Sequence, residues 1–274
     1  MIDADAAVLS SFSLRFSSVE ERFDAARRAG FSAVGMSLRG FAEAEAAGLT
    51  ADEQRRMADE AGVVVAEIEA LRGWAADPTA AVEQKAAEDT VWRMADTFGS
   101  RYVQVIGPFY GSLEQAARDF ASLCDRAAAH GLVAGIEFLP FTNIPDAATA
   151  AAVVDGAGRP NGGVCLDSWH HFRGANDWDQ LRMLGPDRIL AVQIDDGTTV
   201  PEHPDYYTDC IENRRVPGEG EFDLVSFVRL LDEMDLSVPV SLEVISTQLQ
   251  QLPAVEAARR IREGFLRVLA EARS

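Results

Sequence analysis

LEQAARDFASLCDRAAAHGLVAGIEFL, residues 113–139, holds one complete unit of the fold. Its first part is amphipathic at helical spacing, which predicts a helix over 113–129. Gly131 ends that helix. LVAGIEFL, 132–139, is then a short apolar run of strand length, interrupted near its C-terminal end by an acid, Glu137.

Read outward, the same alternation occurs eight times. Strands are predicted at 7–14, 31–38, 63–71, 101–107, 132–139, 162–167, 188–195 and 238–245. Helices are predicted at 19–29, 50–61, 78–98, 113–129, 145–155, 177–184, 223–234 and 253–272. Thr50 of TADE, Pro145 and Pro253 act as start signals, and Gly30, Gly62, Gly99 and Gly131 as stops. Eight βα units in 274 residues predict an α/β fold, a (β/α)8 TIM barrel, as a single domain over 1–274. A doubly wound sheet usually has fewer strands, and no Gly-rich dinucleotide fingerprint follows the first strand here. The longest break, DGTTVPEHPDYYTDCIENRRVPGEGEFD at 196–223, reads as a functional loop.

Net charge is −19, with one lysine, Lys85. That field repels nucleic acid and anionic membranes, and the single lysine argues against Schiff-base chemistry. No apolar run reaches the roughly 20 residues of a membrane helix. The acidic N-terminus is the wrong flank for a secretory signal, so a cytoplasmic protein is expected. Cys124, Cys165 and Cys210 have no CxxC spacing and read as free thiols.

In a TIM barrel the active site lies at the C-terminal ends of the strands. Glu137, Asp167, Gln193 and Glu243 interrupt apolar runs there, on the last four strands in turn. A carboxylate buried in a parallel strand is costly unless paired or coordinated. Three carboxylates and an amide make a hard, oxygen-rich site for one divalent ion. Mg²⁺ or Mn²⁺ suits it, with Co²⁺ or Zn²⁺ if histidine joins. The other reading is a ring closed by salt bridges with arginines.

With these residues in hand, the chain resembles the xylose-isomerase-like TIM barrels. More narrowly it is similar to the sugar phosphate isomerase/epimerase family that includes D-tagatose 3-epimerase and inosose dehydratase. The likeness is sharpest from GIEFLP to SLEVIS. It implies that Glu137, Asp167, Gln193 and Glu243 bind one metal, and that His170, in VCLDSWHHFRG, contacts substrate. In NRRVPGEGEFD, Arg214 matches a substrate-binding arginine, and Glu219 holds the variable position between two glycines. Gln193 stands where the epimerases usually have His, and Asn143 where a second glutamate follows the first ligand. Both departures touch the substrate class.

Trp169, Trp74 and Phe109 are candidates for an apolar wall against a sugar ring. Glu67 and Glu69 share a strand face, and Glu69, nearer the C-terminal end, is a candidate pocket contact. His130 and His171 read as structural, while His203 lies on the long loop. Arg214 and Arg215 are the candidates for a substrate phosphate, but no Gly-rich phosphate loop is present, and a neutral sugar or keto-sugar fits at least as well. The resulting expectation is a divalent-metal-dependent isomerase or epimerase. Glu137 and Glu243 would abstract and return a proton next to a carbonyl, through an enediolate held by the cation, with His170 at a substrate oxygen. The alternatives are a lyase that expels a β-leaving group and a non-catalytic sugar-binding barrel. Four histidines and the negative charge argue against a DNA-cutting relative of this fold. Apolar residues around the long loop add the expectation of a homodimer.

Overall fold

Short strands that bury both faces need one another on one side and helices on the other. In the computed structural model, which describes residues 2–75 and 80–274, eight parallel strands meet that need. They are β1 (Ala7–Leu9), β2 (Ala33–Ser37), β3 (Val64–Leu71), β4 (Tyr102–Ile106), β5 (Val133–Glu137), β6 (Gly162–Asp167), β7 (Ile189–Ile194) and β8 (Val240–Leu242). They close in sequence order, β8 pairing with β1. Outside lie α1 (Val19–Ala29), α2 (Leu38–Ala46), α3 (Ala51–Ala61), α4 (Ala81–Phe98), α5 (Leu113–Ala128) and α6 (Ala147–Ala157). These are followed by α7 (Ser168–Arg173), α8 (Trp178–Leu184), α9 (Tyr206–Glu212), α10 (Leu224–Glu233) and α11 (Ala254–Ala272). The TIM barrel read from the sequence is therefore the fold. The start of the third predicted helix, at Pro78, lies outside the described residues.

The opening unit shows how sequence becomes packing. Helix α5 buries Ala116, Phe120, Leu123 and Ala127 at helical spacing. Ser112 caps its start by accepting from Gln115 N at 3.3 Å. Gly131 takes φ +68°, a backbone shape that glycine adopts without strain. Helices α1 and α3 begin with full capping boxes at Ser18 and Thr50. Among the described residues no helix is long and apolar enough to cross a membrane.

The first and last strands are shorter than predicted. Serine explains both ends, because its hydroxyl competes for backbone hydrogen bonds. Ser10 accepts from Phe12 N at 3.2 Å and starts a 3-10 turn, Ser11–Leu14. Ser13 Oγ donates to Leu242 O and accepts from Val244 N, at 2.9 and 2.7 Å, where β8 ends. The long segment after β7 is not structureless. It carries α9, and Asp196 and Arg215 pair as an antiparallel bridge. The buried Asp196 carboxylate accepts from the backbone N–H of Gly197, Gly218, Gly220 and Phe222, at 2.8 to 3.1 Å. Two short helices, α2 and α7, were also absent from the sequence reading.

Inside the barrel, alternate residues point to the axis, and many are polar. Glu67, Glu69, Gln104 and Ser241 are all buried. Ser241 Oγ donates to Glu67 Oε1. Glycine on β2 makes room for this. A Cβ at Gly35 would stand 2.1 Å from Glu69 Oε1 and 3.0 Å from Glu67 Oε1. Gly35→Ala should lower unfolding free energy by about 1–3 kcal/mol, the usual effect of overpacking. Urea unfolding measures it, and an unchanged midpoint would show that Glu69 moves aside freely.

Candidate active site

A cavity of about 570 Å³ opens at the C-terminal ends of the strands, large enough for a small metabolite. Its lining includes Glu69, Gln104, Glu137, His170, Arg214 and Glu243.

Glu137 ends β5, so the pleat carries its carboxylate inward. Gln104 Nε2, on β4, donates to Glu137 Oε2 at 2.6 Å and to Gln193 Oε1 at 3.3 Å. Gln193 Nε2 passes the chain on to Glu243 Oε1 at 3.1 Å. Asp167 ends β6 and pairs in register with Gln193. It also caps α7, accepting from Trp169 N at 2.6 Å. That cap turns the chain at once into a helix and brings His170 back over the barrel. His170 Nε2 lies 3.2 Å from Glu137 Oε1 and 3.7 Å from Asp167 Oδ2. Its Nδ1 lies 2.9 Å from the Tyr206 hydroxyl on α9.

One guanidinium ties the ring together. Arg214 is 2% exposed. Its Nη1 reaches Asp167 Oδ2 at 2.9 Å, Glu243 Oε2 at 3.1 Å and Asp195 Oδ2. Its Nε donates to Cys210 O at 3.2 Å. Burial pushes the Glu137 carboxyl well above the usual carboxylate range, and the Asp167 charge adds to this against Arg214. Burial does the same to Glu243 and Asp195, where Arg214 opposes it. Burial also pushes Asp167 up, but Arg214 and His170 outweigh it and hold that carboxyl below its ordinary value. His170 is pulled down to about 3 by burial, with Arg214 adding and Asp167 opposing, so its ring is neutral. A neutral imidazole has one N–H and one lone pair, and the Tyr206 hydroxyl can serve either tautomer.

The donor set fits a divalent ion. Glu137, Asp167 and His170 each offer a ligand atom, all within 4.8 Å of one another. Four buried carboxylates, Glu137, Asp167, Asp195 and Glu243, face a single guanidinium in this ring. Two further positive charges would favour the ionised form of the acids that burial pushes up. Arg214 Nη1 already contacts Asp167 and Glu243, so guanidinium and cation draw on the same acids.

Of the residues read from sequence, Glu137, Asp167, Gln193, Glu243, His170 and Arg214 are brought together, and Glu69 lines the same cavity. Glu69 Oε2 accepts from Ser11 N and Ser11 Oγ. Others lie elsewhere. Trp169 is fully buried, edge-on to Phe222 and beneath the Arg173 guanidinium, because the α7 cap turns it away from the cavity. Trp74 is buried, with Nε1 donating to Ile106 O at 3.0 Å. Asn143 is exposed and clamps the Phe109 backbone, accepting from its N and donating to its O. Glu219 pairs with Arg260 of α11, outside the cavity. Arg215 pairs with Glu202, and half-buried His203 bonds within its own loop. His130 stacks on Trp92, and His171 packs among Phe172, Trp178 and Phe227. Gln104, Asp195 and Tyr206 belong to the constellation without having been read as members. The first two sit in strand runs already identified, YVQVI and AVQID, where a polar residue of the inward parity was the available signal.

The chain belongs to the xylose isomerase-like TIM barrel family, whose pattern matches residues 23–267. Among curated proteins it is 27% identical over 152 residues to an inosose isomerase of Bacillus velezensis, covering 55% of this chain and 53% of that protein. The chain thus spans about half the length of the curated relatives it matches. In fold it is similar to an IolI protein solved with a bound zinc atom. There the TM-score is 0.87 at 18% identity, over 97% of this chain and 98% of that one. It is also similar to an L-ribulose 3-epimerase, with TM-score 0.76 at 18% identity over 97% and 95% of the two chains.

Asp167→Ala should weaken divalent-metal binding by at least about tenfold, since even residues that merely orient ligands are worth 10–100-fold. Metal analysis after equilibration with limiting Mn²⁺, Co²⁺ or Zn²⁺ reads this directly. Full occupancy in the variant would remove Asp167 from the ligand set.

Proposed function

We propose that the protein is a divalent-metal-dependent isomerase or epimerase that acts on a sugar or keto-sugar by removing a proton next to a carbonyl. One observation carries this reading: Glu137 and Glu243 both line a cavity of monosaccharide size, with His170 Nε2 against one of them. The relatives named for inosose and L-ribulose chemistry support the substrate class. Glu137, Asp167, Gln193 and Glu243 would hold the ion, which leaves His170 Nε2 for proton transfer. These oxygen donors suit Mn²⁺ or Mg²⁺; zinc is the metal in the IolI neighbour. When bound, the ion supplies Lewis acidity and a template for the carbonyl and a neighbouring hydroxyl.

The chain's own side chains do the rest. Gln104 and Gln193 hold Glu137 and Glu243 in fixed orientation. One of these glutamates takes the proton from carbon, and the other returns one. Return on the opposite face gives an epimer, and return at the neighbouring carbon gives an isomer. His170, aligned by Tyr206, moves a proton at Nε2 to or from a substrate oxygen. That same His170–Tyr206 pair favours one second reading, in which the proton goes to a departing β-oxygen and the outcome is elimination.

Glu137→Gln and Glu243→Gln should each cut exchange of substrate hydrogen with D₂O by about 10²–10⁴-fold, the range for a lost acid or base. NMR of a ketose panel reads this, and native rates in both variants would refute the base assignment. EDTA should abolish exchange and added Mn²⁺ restore it; exchange that survives complete metal removal would refute metal dependence. Growth of an enone absorbance during turnover would select elimination.

A further inference from the structure

The cavity mouth is divided by charge. The acids of the ring come from the ends of β5 to β8. The other side, built by the segments after β1, β2 and β3, lines the cavity with Arg15, Arg22, Arg39 and Arg72. These four do not carry equal weight. Arg39 is exposed and pairs with Glu43 at 2.6 Å, which commits it. Arg72 is exposed at the rim.

Arg22 is different. It sits in the first turn of α1 and is only 8% exposed. Its Nε donates to Ser17 O at 3.2 Å, and among the described residues neither Nη has an acceptor. The guanidinium lies against the first turn of α2, where a Cβ at Gly40 would meet Nη2 at 2.9 Å and Nη1 at 3.0 Å. Ser37, Leu38, Arg39 and Gly40, the start of that helix, line the same cavity. A helix start is positive, and the backbone N–H groups of Leu38 and Arg39 have no partner within the helix. Arg22 and the α2 N-terminus are thus two positive features side by side. The acids that face Arg22 are Glu43, committed to Arg39, and Glu69, whose carboxyl burial and Glu67 push well above the usual range. Arg15 repeats the pattern, since its Nε is buried and has no acceptor among the described residues. Guanidinium N–H groups that find no protein acceptor at a cavity wall are left to bind water or a bound anion.

We propose that this side of the cavity seats an anionic group of the substrate, a carboxylate or a phosphate, between Arg22, Arg15 and the N-terminus of α2. The inference rests on reading the cavity as a sugar-transforming site, and it narrows the substrate class from neutral ketoses to sugar acids or sugar phosphates. It also moves the anion away from Arg214 and Arg215, the arginines read from sequence, because both are held by acids. The polyol would then lie across the mouth, its charged end on the basic side and its reacting carbons over Glu137 and Glu243.

The test compares three probes by calorimetry on the Mn²⁺-loaded protein: D-fructose, D-fructose 6-phosphate and 5-keto-D-gluconate. At least one anionic probe should bind about tenfold or more tighter than D-fructose, because charge-assisted hydrogen bonds are markedly stronger than neutral ones. Inorganic phosphate and acetate, as competitors, tell which anion the seat prefers. In Arg22→Gln and in Arg15→Gln the anionic-to-neutral affinity ratio should fall towards one. Arg15 is partly exposed, so its variant keeps the test available if Arg22→Gln lowers the melting temperature. Equal binding of all three probes, absence of any anionic binding, or an unchanged ratio in Arg15→Gln overturns the proposal. Hydrogen exchange in D-fructose with no anion preference would overturn it while the isomerase reading stands. An anion preference that both variants lose, with exchange in none of the probes, would keep the seat and overturn that reading.

Discussion

The Arg214 guanidinium among the carboxylates of Asp167, Asp195 and Glu243 is the interaction on which the rest of the site depends. Without a counter-charge, acids brought together by barrel closure would repel in a medium of low dielectric. Arg214 Nη1 touches three of them at once, from β6, β7 and the end of β8. Its Nε and Nη2 reach the Cys210 carbonyl and thiol, so the same side chain docks α9 onto the barrel. Helix α9 in turn presents Tyr206 to His170. One buried cation therefore sets acid spacing, loop position and imidazole orientation together. Removing one partner from such a network leaves an uncompensated buried charge, which is why its parts act as a unit.

Much of this was legible from the residues. The period switch between α5 and β5 repeats along the chain, and it is enough to predict the closed barrel. Glu137, Asp167, Gln193 and Glu243 announced themselves because a polar side chain at the end of an apolar strand needs a reason. What stayed hidden depends on tertiary context. Ser11 and Ser13 look like strand residues until a carboxylate and a foreign backbone claim their hydroxyls. Helices α2 and α9 are short, and their packing and caps, more than their own periodicity, hold them. Trp169 was misplaced because the cap at Asp167 sets where α7 begins, and one residue of helical phase decides whether a side chain faces cavity or core. The arginines on the other side of the mouth all lie beyond their strands: Arg15, Arg22 and Arg39 in a turn or a helix, and Arg72 one residue past β3.

The two sides of the mouth divide the physical labour. Strand ends hold the acid ring at spacings fixed by the pleat and the register, which suits groups that must meet reacting atoms within a few tenths of an ångström. The helix and turn residues on the opposite side hold charge over a broader surface, which suits recognition of a substrate's far end. Gly35 and Gly40 act in the same way, each by omitting a methyl group, the first where the Glu69 carboxyl lies and the second where the Arg22 guanidinium lies.

The Asp196 carboxylate, with its four backbone N–H donors, has a consequence for how this barrel can diversify. Connections after the strands are the usual place for a new specificity to be written, yet the longest one here is stapled to itself around that oxygen pair and cannot be rewritten piecemeal. Variation in cargo is cheaper to introduce across the mouth, in the connections after β1 and β2, where among the described residues no single carboxylate gathers four backbone N–H groups. The fold thus keeps its chemistry on a page that is hard to edit and its preferences on one that is easy.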